Sequence, residues 1–216
     1  QAAAAAAPTP PARRGRPPMG QAGSTGPDGF RHARLREQYA ELPSLWGEDD
    51  LAALLGRLQA LPLSLSLDEV AFGRLLQLPG LLEGSAAVWF GDFSRDRPSG
   101  LADGLEFLAA AVCVSSRASA LRKLALLFDL FDAGRGGRLR RGDFAVALKA
   151  VALGLGRVVS GLPPAASLAE LAGLAEALGV PAEGLSPDGW VRWAMEAGLP
   201  LRYLAAFSGL GSGASG

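Results

Sequence analysis

The sequence predicts an all-α fold: two pairs of helix-loop-helix units behind a disordered N-terminal tail. Three observations predict it. Apolar residues recur at helical spacing through most of the chain, as in "DDLAALLGRLQAL", "ALRKLALLFDLF" and "SLAELAGLAEALG". Alternating patterns that would mark half-buried strands are nearly absent. Helix-start signals also recur: Ser66 with Glu69, Asp103 with Glu106 and Ser167 with Glu170 have the cap-x-x-acid spacing that satisfies orphan amides in a first turn. Ser186 followed by Pro187 opens a further helix.

Taken in order, residues 1–29 are rich in Ala, Pro, Gly and Arg without an apolar period, so they cannot offset the entropy of ordering and read as a disordered tail. Residues 30–110 read as an N-terminal pair of units. Residues 111–209 read as a C-terminal pair with a terminal apolar helix, and 210–216 as a flexible tail. Within these bounds Glu69, Glu106 and Asp143 each open a helix and each precede an apolar residue, Val70, Phe107 or Phe144. The same 37-residue interval separates Glu69 from Glu106 and Glu106 from Asp143. Four residues before each acid stands an aliphatic position: Leu65, Ala102 and Leu139. A fourth copy, with Leu185 ahead of Gly189 and Trp190, follows after 46 residues, the excess lying in "GLGRVVSGLPP" between Asp143 and Gly189.

Composition excludes several classes. Lys+Arg and Asp+Glu are equal at 21 each, so no global field recruits nucleic acid. Cys113 is the only cysteine and His32 the only histidine, which excludes an intrachain disulfide and a multi-histidine metal site. One thiol in the apolar run "LAAAVCVS" and one imidazole in "FRHARLR" do not assemble a nucleophile, base and orienter, so the chain reads as a non-enzyme of a reducing, cytoplasmic compartment. No run approaches the roughly 18 apolar residues that span a bilayer.

The stretch "LFDLFDAGRGGRLRRGDF", residues 127–144, together with the repeated acid-aliphatic signature, resembles the EF-hand superfamily in its four-hand calcium-sensor form, like the calcineurin B and neuronal calcium sensor relatives. The resemblance covers residues 49–196. It implies twelve-residue loops with oxygen ligands at positions 1, 3, 5, 7, 9 and 12, Gly at 6 and an aliphatic residue at 8. In the third hand Asp132 falls at position 1, Gly137 at 6, Arg138 at 7, Leu139 at 8 and Asp143 at 12. The implied calcium ligands are therefore Asp132, the carbonyl of Arg138 and Asp143. Position 8 is kept for packing, because paired loops join there by a short antiparallel ladder, so fold memory and ligand chemistry separate.

Calcium requires about 6–8 oxygens. In the third loop Gly134 and Gly136 supply no side-chain oxygen at positions 3 and 5, and Arg140 fills position 9. Arg135, Arg138, Arg140 and Arg141 outnumber the two carboxylates. Each such charge at about 6 Å opposes a dication by roughly 5 kcal/mol at an effective dielectric of about 20. This hand is expected to be metal-free. The second loop, "SRDRPSGLADGLEF", places Ser94 at position 1 and Glu106 at position 12 with one inserted residue, and Asp96, Ser99, Gly100 and Asp103 between them. Ser94, Asp96, Ser99 and Glu106 are its candidate calcium ligands, and a solvated acidic helix start is the competing reading. Hands one and four, "LQALPLSLSLDE" and "LGVPAEGLSPDG", carry almost no ligands and read as scaffolding.

Two further features bear on partners. "MGQAGS", Met19–Ser24, matches the myristoylation pattern M-G-x-x-x-[ST], with Gly20 as acceptor if translation begins at Met19 and residues 1–18 are upstream read-through. Such a chain would attach the protein peripherally to a membrane, with "RHARLR" as a second, basic signal. In "GWVRWAMEAGLPLRYLAAFSGL", Trp190 and Trp193 read as core, or as part of a docked terminal helix. This stretch is also loosely similar to the EF-hand regions that precede TLD domains and certain ubiquitin hydrolase domains. The function expected from the sequence is a regulatory module that docks an amphipathic helix or adjoining domain of a protein partner in a hydrophobic groove, with calcium binding reduced or lost. The alternative is a working calcium sensor that switches through the second hand, residues 94–106.

Overall fold

A computed structural model describes residues 33–61, 65–77, 84–132, 134–162 and 164–197, and most of them are helical. A 3-10 turn at Glu37–Tyr39 leads into the short α1 (Leu42–Leu45). There follow α2 (Glu48–Ala60), α3 (Glu69–Leu75), α4 (Ser85–Ser94), α5 (Gly104–Val114), α6 (Ala120–Phe131), α7 (Arg141–Val158), α8 (Leu168–Ala177) and α9 (Pro187–Ala197). Among the described residues the strands are pairs of residues: β1 (Arg34–Leu35), β2 (Ser66–Leu67), β3 (Ala102–Asp103) and β4 (Val159–Ser160). Residues 1–29, Gly20, His32 and the apolar helix expected from Leu199 lie outside the described residues.

Most helix starts form where the cap spacing places them. The Asp103 carboxylate accepts from the amides of Leu105 (2.8 Å) and Glu106 (3.2 Å), opening α5. Ser167 and Glu170 close a reciprocal capping box at α8, and Ser186 Oγ accepts from Gly189 N at α9. The first unit departs from expectation. Asp68, not Ser66, caps α3, accepting from Ala71 N at 2.7 Å, while Ser66 belongs to β2.

That shift also moves the loop register. β2 and β3 pair antiparallel with Leu67 opposite Ala102, and Gly104 N donates to the carbonyl of Leu65 at 2.8 Å. Leu67 is 3% exposed and Leu65 41%, so Leu67 and not Leu65 is the buried ladder residue. The aliphatic interval from 67 to 102 is therefore two residues shorter than the one from 102 to 139. The reason is the two-residue side-chain period of a strand. In "PLSLSLD" Leu65 and Leu67 fall on one face, and the acid-to-aliphatic count alone cannot choose between them. In the second half Leu139 and Leu185 face each other as an antiparallel bridge, each amide donating to the other's carbonyl at 2.9 Å.

The helices meet in one hydrophobic cluster that draws on both halves. Its first part is aromatic: Tyr39 stacks on Trp89 at 5.7 Å, and Trp46, Phe72, Trp89 and Phe93 all surround Phe107 at 5.0 to 6.2 Å. Burying each ring stabilises the fold by about 1.5–3 kcal/mol. Around the C-terminal bridge, Phe144 packs edge-on to Trp190 and Trp193, and Trp190 Nε1 donates to the Leu124 carbonyl at 2.8 Å, so Trp190 is core. The division expected between residues 110 and 111 falls inside α5. That helix continues past it and packs most extensively against α7, joining the halves.

The segment before α2 straps the halves together from outside. β1 pairs with β4 at the end of α7, and Arg36 N donates to the Val158 carbonyl at 2.9 Å. Trp89 Nε1 donates to the Gln38 carbonyl, while the amide and hydroxyl of Ser116 both donate to the Pro43 carbonyl. Among the described residues no helix is long and apolar enough to cross a membrane.

Candidate functional site

Loop three, between α6 and α7, begins at Asp132, which terminates α6. Both of its carboxylate oxygens are already engaged: Oδ1 accepts from Gly136 N at 3.0 Å and Oδ2 from Gly137 N at 2.8 Å. Gly137 takes a left-handed φ of 67° at the sharpest point of this turn, a conformation that disfavours any side chain. Asp143 is exposed and turns back to its own helix start, where Oδ2 accepts from Arg140 N at 3.3 Å. The loop is thus closed by its own amides.

Three of the loop's arginines act as tethers. Arg138 Nη1 donates to the Gly184 carbonyl at 3.3 Å, and Arg141 donates from Nε and Nη2 to the Val180 carbonyl at 3.2 and 2.9 Å, both crossing to the fourth unit. Arg135 Nη2 reaches Gln59 Oε1 at 3.1 Å, at the end of α2. Repulsion of a dication was legible in the sequence. The tether role was not, because it depends on carbonyls more than 30 residues away in sequence.

Loop two, between α4 and α5, has a different chemistry. Ser94 Oγ donates back to the Gly91 carbonyl, and Ser99 Oγ accepts from Leu101 N. Asp96 is exposed and pairs with Arg157 of α7 at 3.3 Å. The remaining two acids converge on an internal cation: Arg97 Nη2 lies 3.0 Å from Asp103 Oδ2 and 2.7 Å from Glu106 Oε1. Glu106 is buried, 4% exposed, and its other oxygen, Oε2, stands 3.6 Å from Arg157 Nε. Arg157 also donates to the Asp92 carbonyl and lies over the Phe93 ring at 5.7 Å. Burial and the Asp103 carboxylate push the Glu106 carboxyl above its ordinary range, against the pull of Arg97 and Arg157.

Of the sequence-predicted ligands, then, the structure brings Glu106 together with Asp103 about Arg97, leaves Asp96 exposed against Arg157 at the rim of the same cluster, and holds Ser94 and Ser99 in separate local contacts. Among the described residues no three His, Cys, Asp or Glu side chains converge to hold a metal ion. The donor set does not fit calcium, because the convergent carboxylates are already neutralised by a guanidinium. Arg97 and Arg157 are the residues that sequence reasoning missed. Arg97 carried a readable signal, a cation six residues before Asp103 and nine before Glu106. Arg157 reaches the site only through the α5–α7 packing.

Elsewhere, Leu51, Leu55, Leu108, Val112, Leu126 and Leu130 line an apolar cleft between α2, α5 and α6, and each is itself buried, so this cleft is a closed seam. Cys113 is buried, and burial pushes its thiol up to about 12, which leaves no thiolate for nucleophilic chemistry. Lys123, also buried, donates from Nζ to the Cys113 carbonyl at 2.9 Å in the last turn of α5. There a cation meets the negative end of the helix. Compared with protein-family models, with curated proteins and with solved structures, the chain matches none.

Proposed function

We propose that this chain is an EF-hand-type regulatory module of calcium-sensor ancestry whose loops keep their structural pairing while their calcium response is reduced or lost. It would act by docking an amphipathic helix or an adjoining domain of a protein partner, in the cytoplasm and with peripheral membrane attachment through Gly20 as a further element of the reading. One observation carries it: aliphatic residues pair across neighbouring loops at Leu67–Ala102 and Leu139–Leu185, while the acids beside them are engaged by backbone amides or arginine. Packing is kept for the fold and ligand chemistry is spent internally. Exposed Leu174 on α8 and Leu178 at the C-cap that ends it, four residues apart, offer apolar surface for a partner.

The second reading, a sensor switching through residues 94–106, is favoured by one feature: Asp103 and Glu106 already converge on positive charge. A calcium titration followed by calorimetry and by tryptophan fluorescence separates the two, since Trp89 lies in the helix entering loop two. No saturable change below millimolar calcium is expected. A saturable response abolished by Glu106→Gln would establish the second reading instead.

A further inference from the structure

The acids of loop two raise a question that burial sharpens. Glu106 has a side chain only 5% exposed, and it sits where α7 crosses α5 so closely that a Cβ on Gly154 would overlap the Glu106 carbonyl oxygen. Water cannot replace what neutralises this carboxylate, and a buried charge without a partner is strongly destabilising. Asp103, at the start of the same helix, adds a second negative charge on the same side. The fold therefore demands a cation at this point. Arg97, from the loop itself, supplies it with one nitrogen shared between Asp103 Oδ2 and Glu106 Oε1.

The fit is good but incomplete. Glu106 Oε2 and the Nε atoms of Arg97 and Arg157 are buried without a hydrogen-bond partner. An oxygen of a nine-tenths buried carboxylate thus remains directed into the cluster, within 3.6 Å of a guanidinium but not bonded to it. Two carboxylates thus meet a tethered monocation, assisted by a second one from α7.

We propose that Arg97 is a tethered cation that fills the place of a divalent ion in loop two and, with Arg157, locks this loop to α7 irrespective of calcium. The inference rests on the reading of the loops as calcium-type loops that have lost their metal. It goes beyond it by naming what replaced the metal and how the two halves are held in one setting. Removing the guanidinium should expose a latent divalent-cation site whose occupation substitutes for the side chain.

The test is thermal unfolding of the full chain as wild type, Arg97→Gln and Arg97→Gln/Glu106→Gln. Each is measured in chelator, in millimolar calcium chloride and in sodium chloride of matched ionic strength. Arg97→Gln is expected to lower Tm by about 6 °C or more, the size of effect that follows loss of one partner of a buried pair in a chain of this length. Calcium should restore at least half of that loss and sodium should not. The double variant, freed of the uncompensated carboxylate, should be more stable than Arg97→Gln and indifferent to calcium; it reports even if Arg97→Gln alone does not fold. Arg97→Gln with wild-type Tm, a loss that calcium does not reverse beyond sodium, or a double variant no more stable than the single one would each overturn the inference. A wild-type response to calcium that Arg97→Gln strengthens would overturn the metal-free reading and keep the tethered cation, because competition for one place is what the lock entails.

Discussion

Gly154 and Gly156 lie two residues apart on α7 and meet opposite surroundings. A methyl group on Gly154 would collide with the backbone of Glu106, whereas around Gly156 nothing stands within 4 Å of a built Cβ. Gly154→Ala should therefore destabilise the protein by about 1–3 kcal/mol through overpacking. Gly156→Ala should stabilise it by about 0.5–1 kcal/mol through helix propensity. Urea unfolding of the two variants checks both signs, and equal effects would contradict the close crossing. Lys123 makes a second prediction at this scale. Burial lowers its ammonium to about 8 in the folded chain, while in the unfolded chain it keeps its ordinary value near 10.4. Below about pH 8 the buried charge carries its full penalty, and stability is regained as pH rises from about 8 toward 10.4. The Cys113 thiol works the other way from about pH 8.5 upward, since only the unfolded form ionises there. The Lys123 contribution is therefore read from the difference between wild type and Lys123→Met. That difference should move in favour of wild type between pH 8 and 10, by up to about 2 kcal/mol. A difference that stays constant with pH would show that Lys123 keeps an ordinary pKa.

Among the elements, the strap formed by residues 34–46 is held mainly by aromatic contacts. Tyr39 is fully buried against Trp89 and Phe93, and its hydroxyl donates to Asp92 at 3.1 Å. Tyr39→Ala should cost about 3–5 kcal/mol and open residues 34–46 to a limited-proteolysis cut that wild type lacks. A variant with no new cleavage within 34–46 would contradict a strap that depends on this ring. The helices were legible because apolar period and cap chemistry agree along each of them, as at Ser167–Glu170 and Asp103–Glu106. The register of loop one was not, because "LSLSL" offers leucines two apart on one strand face and only the Asp68 cap decides between them. The strap itself left no periodic signal, since its function depends on Tyr39 and Trp46 reaching rings that arrive from α4 and α5.

At the scale of the whole molecule, loops one and two and loops three and four meet through short antiparallel contacts, and the α5–α7 crossing joins the halves in one core. The candidate ligands were legible as residue types. Of their partners, Arg97 carried a signal in its spacing to both acids, while Arg157 carried none because it comes from a different unit. The repeat carries packing information that does not depend on ligand chemistry, which is why the ladder position of loop four, Leu185, could be found although that loop holds few acids. Amide NMR of the full chain, recorded in chelator and then in calcium, tests paired loops held without metal most directly. Cross-strand contacts between Leu67 and Ala102 and between Leu139 and Leu185 should be present in chelator and unchanged by calcium up to millimolar concentration. Contacts that are missing in chelator and form only when calcium is added would contradict it.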